Sequence, residues 1–432
     1  MKKLERIRVG IAGLGCRGGM AMDRLPIIPG VEVAALCDTR QELVAAQQAK
    51  LVRNGLAPAR EFSGPDAYRQ MCEWDGIDVV YNCAPWSLHV PLAVCAMENG
   101  KHALVEVPAA FTVEDCWLLV ETSERTGMQC MQLENCCYGE IEMLTFNLAR
   151  LGMLGELVHG EGAYIHDLRH MCAKEWPDAE CWRFEENRVH GGNRYPTHGL
   201  VPLCLTMDVN RGDRLDYLVS VDSRQANFRA YMDAKLKPDN PRRSADIKMA
   251  DMNSTLIKTA KGRSILVQHD VSTPRPYSRI QFLSGTKGAI CDYPFRVVLE
   301  DRLGSGAHSW FDDARASEIR EKFRHPLWKT VGELAKRVGG HGGMDFIMDA
   351  RWIYCLQQGL PLDMDVYDLA ATSCLCELTE KSADNRGRTM TIPDFTRGAW
   401  RTSPPLSIVD IDLRKMGVEA EKIGAANGQI SV

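Results

Sequence analysis

The chain has 432 residues, 25% of them charged, and a formal net charge of -5 at pH 7. That length accommodates two globular domains. Interspersed acidic and basic residues exclude a nucleic-acid-binding stripe, and no apolar run approaches the roughly 18 residues that cross a bilayer.

The first six residues lead directly into a strand-like run, so no signal peptide is expected within this sequence, a removed leader being the alternative that would place the protein in the periplasm or outside the cell. The 16 cysteines are scattered without a CxxC pair. They read as buried, reduced thiols, which points to the cytoplasm.

Residues 7–13 form the first apolar, β-branched run, and 31–37, 77–83, 103–107 and 128–133 follow as further strands. Helical stretches over 39–53, 89–99 and 113–125 separate them. This alternation predicts a parallel sheet with right-handed crossovers, a Rossmann-type α/β domain over 1–138. A helix over 141–151 opens the second part. Strands follow at 156–165, 215–223, 254–259, 264–271, 278–284 and 288–292, several joined by short turns. They predict an α+β domain over 139–432 with a mainly antiparallel open sheet, whose broad face suits packing of a dimer or higher homo-oligomer. Helices are expected at 344–358 and 367–383, and loops at 236–250, 303–318 and 385–405.

Gly13-Leu14-Gly15-Cys16-Arg17-Gly18 follows the first strand and opens a helix. In that context GxGxxG is a dinucleotide fingerprint. Gly13 makes the tight turn, Gly15 admits the pyrophosphate, and Gly18 lets helix and strand approach. The helix N-terminus offers free N–H groups to the phosphates. Asp38 ends the second strand 20 residues after Gly18, where a carboxylate accepts ribose hydroxyls and repels an added phosphate. The expected cofactor is therefore NAD.

With Ala84-Pro85-Trp86-Ser87-Leu88-His89 and the segment Gly100 to Pro108, the N-terminal half resembles the glucose–fructose oxidoreductase and inositol dehydrogenase-like family. Most members of that family carry Glu-Lys-Pro where this chain has Glu106-Val107-Pro108. The lysine handles a hydroxyl proton in hydride transfer, and Val107 cannot do so. Further stretches resemble the NAD-dependent glycosidases of glycoside hydrolase family 109. They are Glu134 to Tyr138, Gly160 to Asp167, Asn193 to Gly199, Asn210 to Asp213, Thr273 to Arg279 and Gly342 to Phe346.

The resemblance implies release of terminal α-linked N-acetylgalactosamine, with a small-molecule or glycan substrate and no net redox change. Carbon 3 of the sugar is oxidised by NAD, the aglycone leaves by elimination, water adds, and the sugar is reduced again. It places His198 at the carbon 3 hydroxyl, since imidazole suits proton transfer near neutrality. Tyr277 stands at carbon 2, either positioning or deprotonating it. A phenol with pKa near 10 then requires a charged neighbour. Glu134 is a base, a sugar clamp or a buried carboxylate. Asn135, Trp86, Ser87, Leu88, His89, Glu106, Val107, Tyr195 and His198 are expected around the cofactor, with Gly13 to Gly18 and Asp38. Tyr164, Arg183, Tyr195 and Tyr277 are the expected sugar contacts. His166 and His170 have i,i+4 spacing, but the surrounding run reads as strand and supplies no third ligand, so no metal is expected. Two other readings stand beside this one: an NAD-dependent sugar dehydrogenase, and a non-catalytic NAD-dependent sensor.

Overall fold

The computed structural model describes residues 2–172, 182–300, 308–406 and 411–412. The first sheet contains β1 (Ile7–Ala12), β2 (Val31–Asp38), β3 (Arg60–Ser63), β4 (Val79–Asn82), β5 (His102–Val105) and β6 (Cys130–Gln132). All pairings are parallel, in the order β3-β2-β1-β4-β5-β6. Its helices are α1 (Cys16–Arg24), α2 (Gln41–Arg53), α3 (Ala67–Glu73), α4 (His89–Glu98) and α5 (Val113–Thr126). The central strands β1 and β4 are buried on both faces and read as near-continuous apolar runs, as a helix-covered parallel sheet requires, whereas the edge strand β3, unmarked in the sequence, is polar and mostly exposed. α5 shows how sequence sets helix ends. The Thr112 hydroxyl accepts from the Asp115 N–H, and Gly127 at φ 70° closes the helix in the left-handed region. Strand order reverses between β1 and β4, so the crevice beyond their C-terminal ends is the ligand position of such sheets.

α6 (Glu140–Arg150) leads into the second sheet: β7 (Leu157–Ile165), β8 (Leu215–Asp222), β9 (Asn253–Thr259), β10 (Ser264–Asp270), β11 (Phe282–Gly285), β12 (Gly288–Cys291), β13 (Arg296–Leu299) and β14 (Met390–Thr391). Its order is β13-β12-β11-β7-β10-β9-β8-β14. It is antiparallel except where β10 lies parallel to β7. The remaining helices are α7 (Arg169–Cys172), α8 (Trp182–Val189), α9 (Thr197–Thr206), α10 (Asn227–Lys235), α11 (Asp313–Phe323), α12 (Pro326–Val338), α13 (Met344–Gln358), α14 (Val366–Ser373) and α15 (Leu375–Asp384).

One close approach positions the site. A Cβ on Gly162 of β7 would sit 2.0 Å from the Gly199 carbonyl oxygen, and one on Gly199 would sit 2.3 Å from the Ala163 nitrogen. Two glycines thus let α9 lie directly on β7, which brings His198 beside Tyr164. The other sheet face is open and exposes Val158, Tyr217, Val221 and Leu256. α13 packs behind the first sheet, and one core cluster joins Ile7, Val9 and Ile11 to Ile347, Trp352 and Ile353.

Several expectations need correction. Of the loop expected over 303–318, residues 303–307 lie outside the described residues, 308–312 are irregular as expected, and 313–318 enter α11, because Asp312 caps the Arg315 N–H at 2.8 Å. The strand expected over 278–284 starts only at Phe282, since Ile280 and Gln281 take φ 61° and 49°. The helix expected over 367–383 divides at Cys374 into α14 and α15. α9 escaped notice because it is apolar on all sides and contains Pro202, so no amphipathic period marks it.

Candidate active site

The fingerprint builds a cradle that fits a dinucleotide. Gly13 has φ +84°, and a Cβ there would lie 2.5 Å from the Ala84 nitrogen. A Cβ on Gly18 would lie 2.0 Å from the Gly13 oxygen, whereas one on Gly15 would meet nothing within 4 Å. The chain is therefore closed behind the turn and open at Gly15, where a pyrophosphate approaches. α1 starts at Cys16 with no side chain capping its first N–H groups. Cys16, the first residue of α1, is exposed. Asp38 ends β2, and its carboxylate accepts from the Leu14 N–H at 2.7 Å and the Arg40 N–H at 2.9 Å. It thus fixes the fingerprint turn while keeping lone pairs for a ribose.

Arg17 turns back across the crevice to Glu106, with Nη2 2.7 Å from the Glu106 carboxylate. Trp86 is 7% exposed and sits at the centre of an aromatic cluster, 4.6 Å from Phe111, 4.5 Å from Trp182 and 6.1 Å from Tyr195 between ring centroids. Val107 packs into the same cluster. Ser87 is exposed and Leu88 half-buried on the adjoining 3-10 turn. His89 departs from its expected place lining the nicotinamide half. It is buried, with Nδ1 2.8 Å from the Pro108 oxygen and Nε2 3.0 Å from the Ala84 oxygen. Both ring nitrogens brace the two loops, so it shapes the crevice from behind. Burial holds its pKa below the ordinary histidine value, against the pull of those two carbonyls and Glu106.

Glu134 follows β6 and is fully buried. One carboxylate oxygen stands 2.8 Å and the other 3.0 Å from His198 Nδ1, and the Cys136 N–H donates at 3.2 Å. Burial by itself raises the Glu134 pKa, but His198 beside it, together with Thr197 and the Cys136 N–H, outweighs it, and the group lies below the ordinary glutamate value. Glu134 is therefore the acceptor that orients His198. Of the roles expected of Glu134, this geometry fits the buried hydrogen-bonding carboxylate. The His198 ring stands edge-on to Tyr164 at 5.2 Å and to Tyr195 at 4.8 Å. Tyr164 and Tyr195 pack at 4.5 Å, and the Tyr164 hydroxyl meets His166 Nδ1 at 3.1 Å.

The Tyr277 ring lies 5.1 Å from His166 and 6.4 Å from Tyr164. Its hydroxyl accepts from Arg279 Nη1 at 3.0 Å, and Arg279 is held by the buried Glu142 at 2.6 Å. The charged neighbour that a phenolic base needs is present. Burial nonetheless pushes the Tyr277 pKa up, with the neighbouring Cys136 thiol adding to it against Arg279. At rest the hydroxyl keeps its proton. A cavity of about 380 Å³ opens beside it, lined by Arg279, Tyr293, Trp328, Lys336 and His341 among others.

Arg183 lies over the faces of Trp86 and Trp182 at 5.1 Å each and of Tyr195 at 5.6 Å. Its Nε is buried without an acceptor among the described residues, a donor suited to a sugar oxygen. His166 and His170 converge on no third ligand among the described residues. Glu134, Cys136 and His198 do bring ligand atoms within 4.8 Å of one another. There the Glu134–His198 hydrogen bond already occupies both partners, and burial raises the Cys136 thiol well above its ordinary pKa.

Arg279, Glu142, Trp182, Phe111 and Asp345 were not anticipated as site residues. Arg279 and Glu142 meet across 137 positions. Arg279 stands within the quoted Thr273 to Arg279 stretch, two residues from Tyr277, which was its one available signal.

Residues 7–133 match the oxidoreductase family, NAD-binding Rossmann fold, and residues 138–402 match the glycosyl hydrolase 109 C-terminal domain. A glycosyl hydrolase family 109 protein of Porphyromonas gingivalis is 45% identical over 410 residues, 92% of this chain and 86% of the relative. A Bacteroides fragilis protein named α-N-acetylgalactosaminidase is 45% identical over 404 residues, 92% of this chain and 94% of that one. Among solved structures, levoglucosan dehydrogenase in complex with NADH superposes with a TM-score of 0.68 at 19% identity, over 90% of this chain and all of that one, a likeness of fold. The C-terminal match spans more than half of the chain, and with relatives 45% identical over 92% of it this chain belongs to glycosyl hydrolase family 109.

Proposed function

We propose that the protein is a glycosidase that releases terminal α-linked N-acetylgalactosamine and uses NAD without consuming it. The observation that carries this is the Glu134–His198 pair set among Tyr164, Tyr195 and Tyr277, with Val107 where a dehydrogenase of this fold has its lysine. NAD, when bound, supplies a reversible two-electron exchange with carbon 3 of the sugar.

The chain's own residues orient the sugar and move protons. His198 Nε2 accepts the carbon 3 hydroxyl proton, and the Glu134 carboxylate stabilises the imidazolium that forms. The carbon 3 ketone acidifies the hydrogen on carbon 2. Tyr277 stands on that side, donating a hydrogen bond while protonated and accepting the carbon 2 proton once ionised, with Arg279 steadying the phenolate. Loss of the carbon 1 substituent leaves an unsaturated ketone, to which water adds. Arg183 and Tyr195 supply donors for ring and acetamido oxygens. The aromatic cluster around Trp86 keeps bulk water from the reacting carbons.

A nitrophenyl α-N-acetylgalactosaminide tests this reading. Nitrophenol release without net NADH, with solvent deuterium at carbon 2 of the released sugar, is expected. Stoichiometric NADH instead means a sugar dehydrogenase, and neither product over a panel of sugars means a sensor. Fourteen cysteines among the described residues are free thiols, and among the described residues no helix is long and apolar enough to cross a membrane. The free thiols support residence in a reducing compartment, the cytoplasm. The apolar residues on the open face of the second sheet support association of two copies, which light scattering tests.

A further inference from the structure

The fingerprint loop is tied to a helix from the far end of the chain. Asp345, in the first turn of α13, is fully buried. Its carboxylate accepts from Asn135 Nδ2, from His341 Nδ1 at 3.0 Å and from Arg17 Nη1 at 3.3 Å, with Arg24 Nη1 at 3.5 Å. Arg17 continues to Glu106, just beyond β5. Asn135 lies just beyond β6, next to Glu134. One carboxylate therefore links three residues that stand around the cofactor crevice: Arg17 directly, Glu106 through Arg17, and Asn135 directly.

The segment before α13 is folded to deliver that carboxylate. Gly339, Gly340, Gly342 and Gly343 all have positive φ, and so has His341 at 46°. A Cβ on Gly340 would lie 2.8 Å from the Asp345 Cβ. The glycines thus let the strap wrap onto Asp345, and His341 comes within 3.5 Å of Arg17. The positive end of α13 adds to the field that keeps the carboxylate ionised.

We propose that Asp345, through Arg17, Asn135 and His341, is a latch that retains the nicotinamide cofactor between turnovers. It rests on the reading above in one respect: a reaction that returns its electrons within each cycle has no need to exchange NAD, whereas a dehydrogenase must do so. Asp345 touches neither substrate nor cofactor and acts as a positioning residue. Its removal frees Asn135 and leaves Arg17 held by Glu106 alone, loosening the crevice at two strand ends.

The test is exchange of bound NAD for isotopically labelled NAD, followed by mass spectrometry on the holoenzyme without any sugar. The wild type is expected to exchange slowly. Asp345→Asn is expected to exchange at least about tenfold faster, the worth of one charge-assisted hydrogen bond, with turnover restored by excess NAD. His341→Ala, in a half-exposed residue that poses little risk to folding, is expected to fall between them. Wild-type exchange rates in both variants overturn the latch, as does a turnover loss that excess NAD leaves unrestored. Faster exchange in a protein that cleaves no glycoside leaves the latch standing and removes the glycosidase reading.

Discussion

Glu134 and His198, 64 residues apart in the chain, meet as a buried carboxylate–imidazole pair at 2.8 Å. Glu134 arrives at the end of β6, and His198 arrives on α9, which lies against β7 only because Gly162 and Gly199 lack side chains. The pair therefore depends on the register between two sheets.

Replacing Glu134 by Gln removes the charge that stabilises a protonated His198. Turnover is expected to fall by about 10²–10⁴-fold, the usual worth of general acid–base catalysis, with bound NAD retained. The Glu134 pKa is depressed in the folded state. Its contribution to stability is thus fully present above the unfolded value of about 4.3 and is lost as pH falls through the lower folded value. Thermal melting between pH 6 and pH 3 should show a steeper acid loss in the wild type than in Glu134→Gln.

Tyr277 holds its proton well above the ordinary tyrosine range. If ionised Tyr277 takes the carbon 2 proton, kcat/KM rises with pH through the alkaline range. Tyr277→Phe is expected to lower turnover and flatten that rise. A wild-type profile flat between pH 7 and pH 10 would remove Tyr277 as the proton acceptor and leave it as a hydrogen-bond donor.

The cradle makes separable predictions for two of its residues. Asp38→Ala removes the acceptor for the Leu14 and Arg40 N–H groups and for a ribose. NAD affinity is expected to weaken at least about tenfold while the fold persists. Gly18→Ala places a methyl against the Gly13 oxygen, which backbone cannot accommodate without shifting. It is expected to abolish NAD binding and lower Tm. Calorimetric titration with NAD and melting curves distinguish the two.

His269 is buried in β10 beside Tyr164, and burial, with Arg183 and Arg194 nearby, pushes its pKa down to about 3. It is neutral in the folded protein but gains a proton near pH 6.5 when unfolded. Stability is therefore complete above pH 6.5 and lost progressively as pH falls toward 3, by about 2 kcal/mol at pH 5. Denaturant titrations at pH 7 and pH 5 should differ less in His269→Gln than in the wild type.

Five strands of the first sheet were legible because each is an apolar run bounded by glycine or a helix start, and GxGxxG carries a backbone requirement that only glycine meets; the short edge strand β3, Arg-Glu-Phe-Ser, is polar and exposed and left no such signal. Asp38 was readable from spacing alone. The second sheet was legible in six of its eight strands but not in its order: β13 carried no signal, β14 lies within the loop expected over 385–405, and the parallel pairing of β7 with β10 joins residues such as His159 and Ser264 and leaves no local mark. His89 shows the limit at a single residue. Its position beside the crevice was readable, yet the carbonyls of Ala84 and Pro108 turn its ring inward.

By itself the sequence determined the nucleotide cradle, the alternation of strands and helices, and the residue types available for proton transfer. Those properties lie in local periodicity and in glycine's backbone freedom. Tertiary structure alone decided which groups meet: Glu134 with His198, Arg279 with both Tyr277 and Glu142, and Asp345 with Arg17 and Asn135. Such contacts depend on how two sheets and α13 pack together. Burial then sets their charge states, since desolvation and neighbouring charge exist only once the chain has folded.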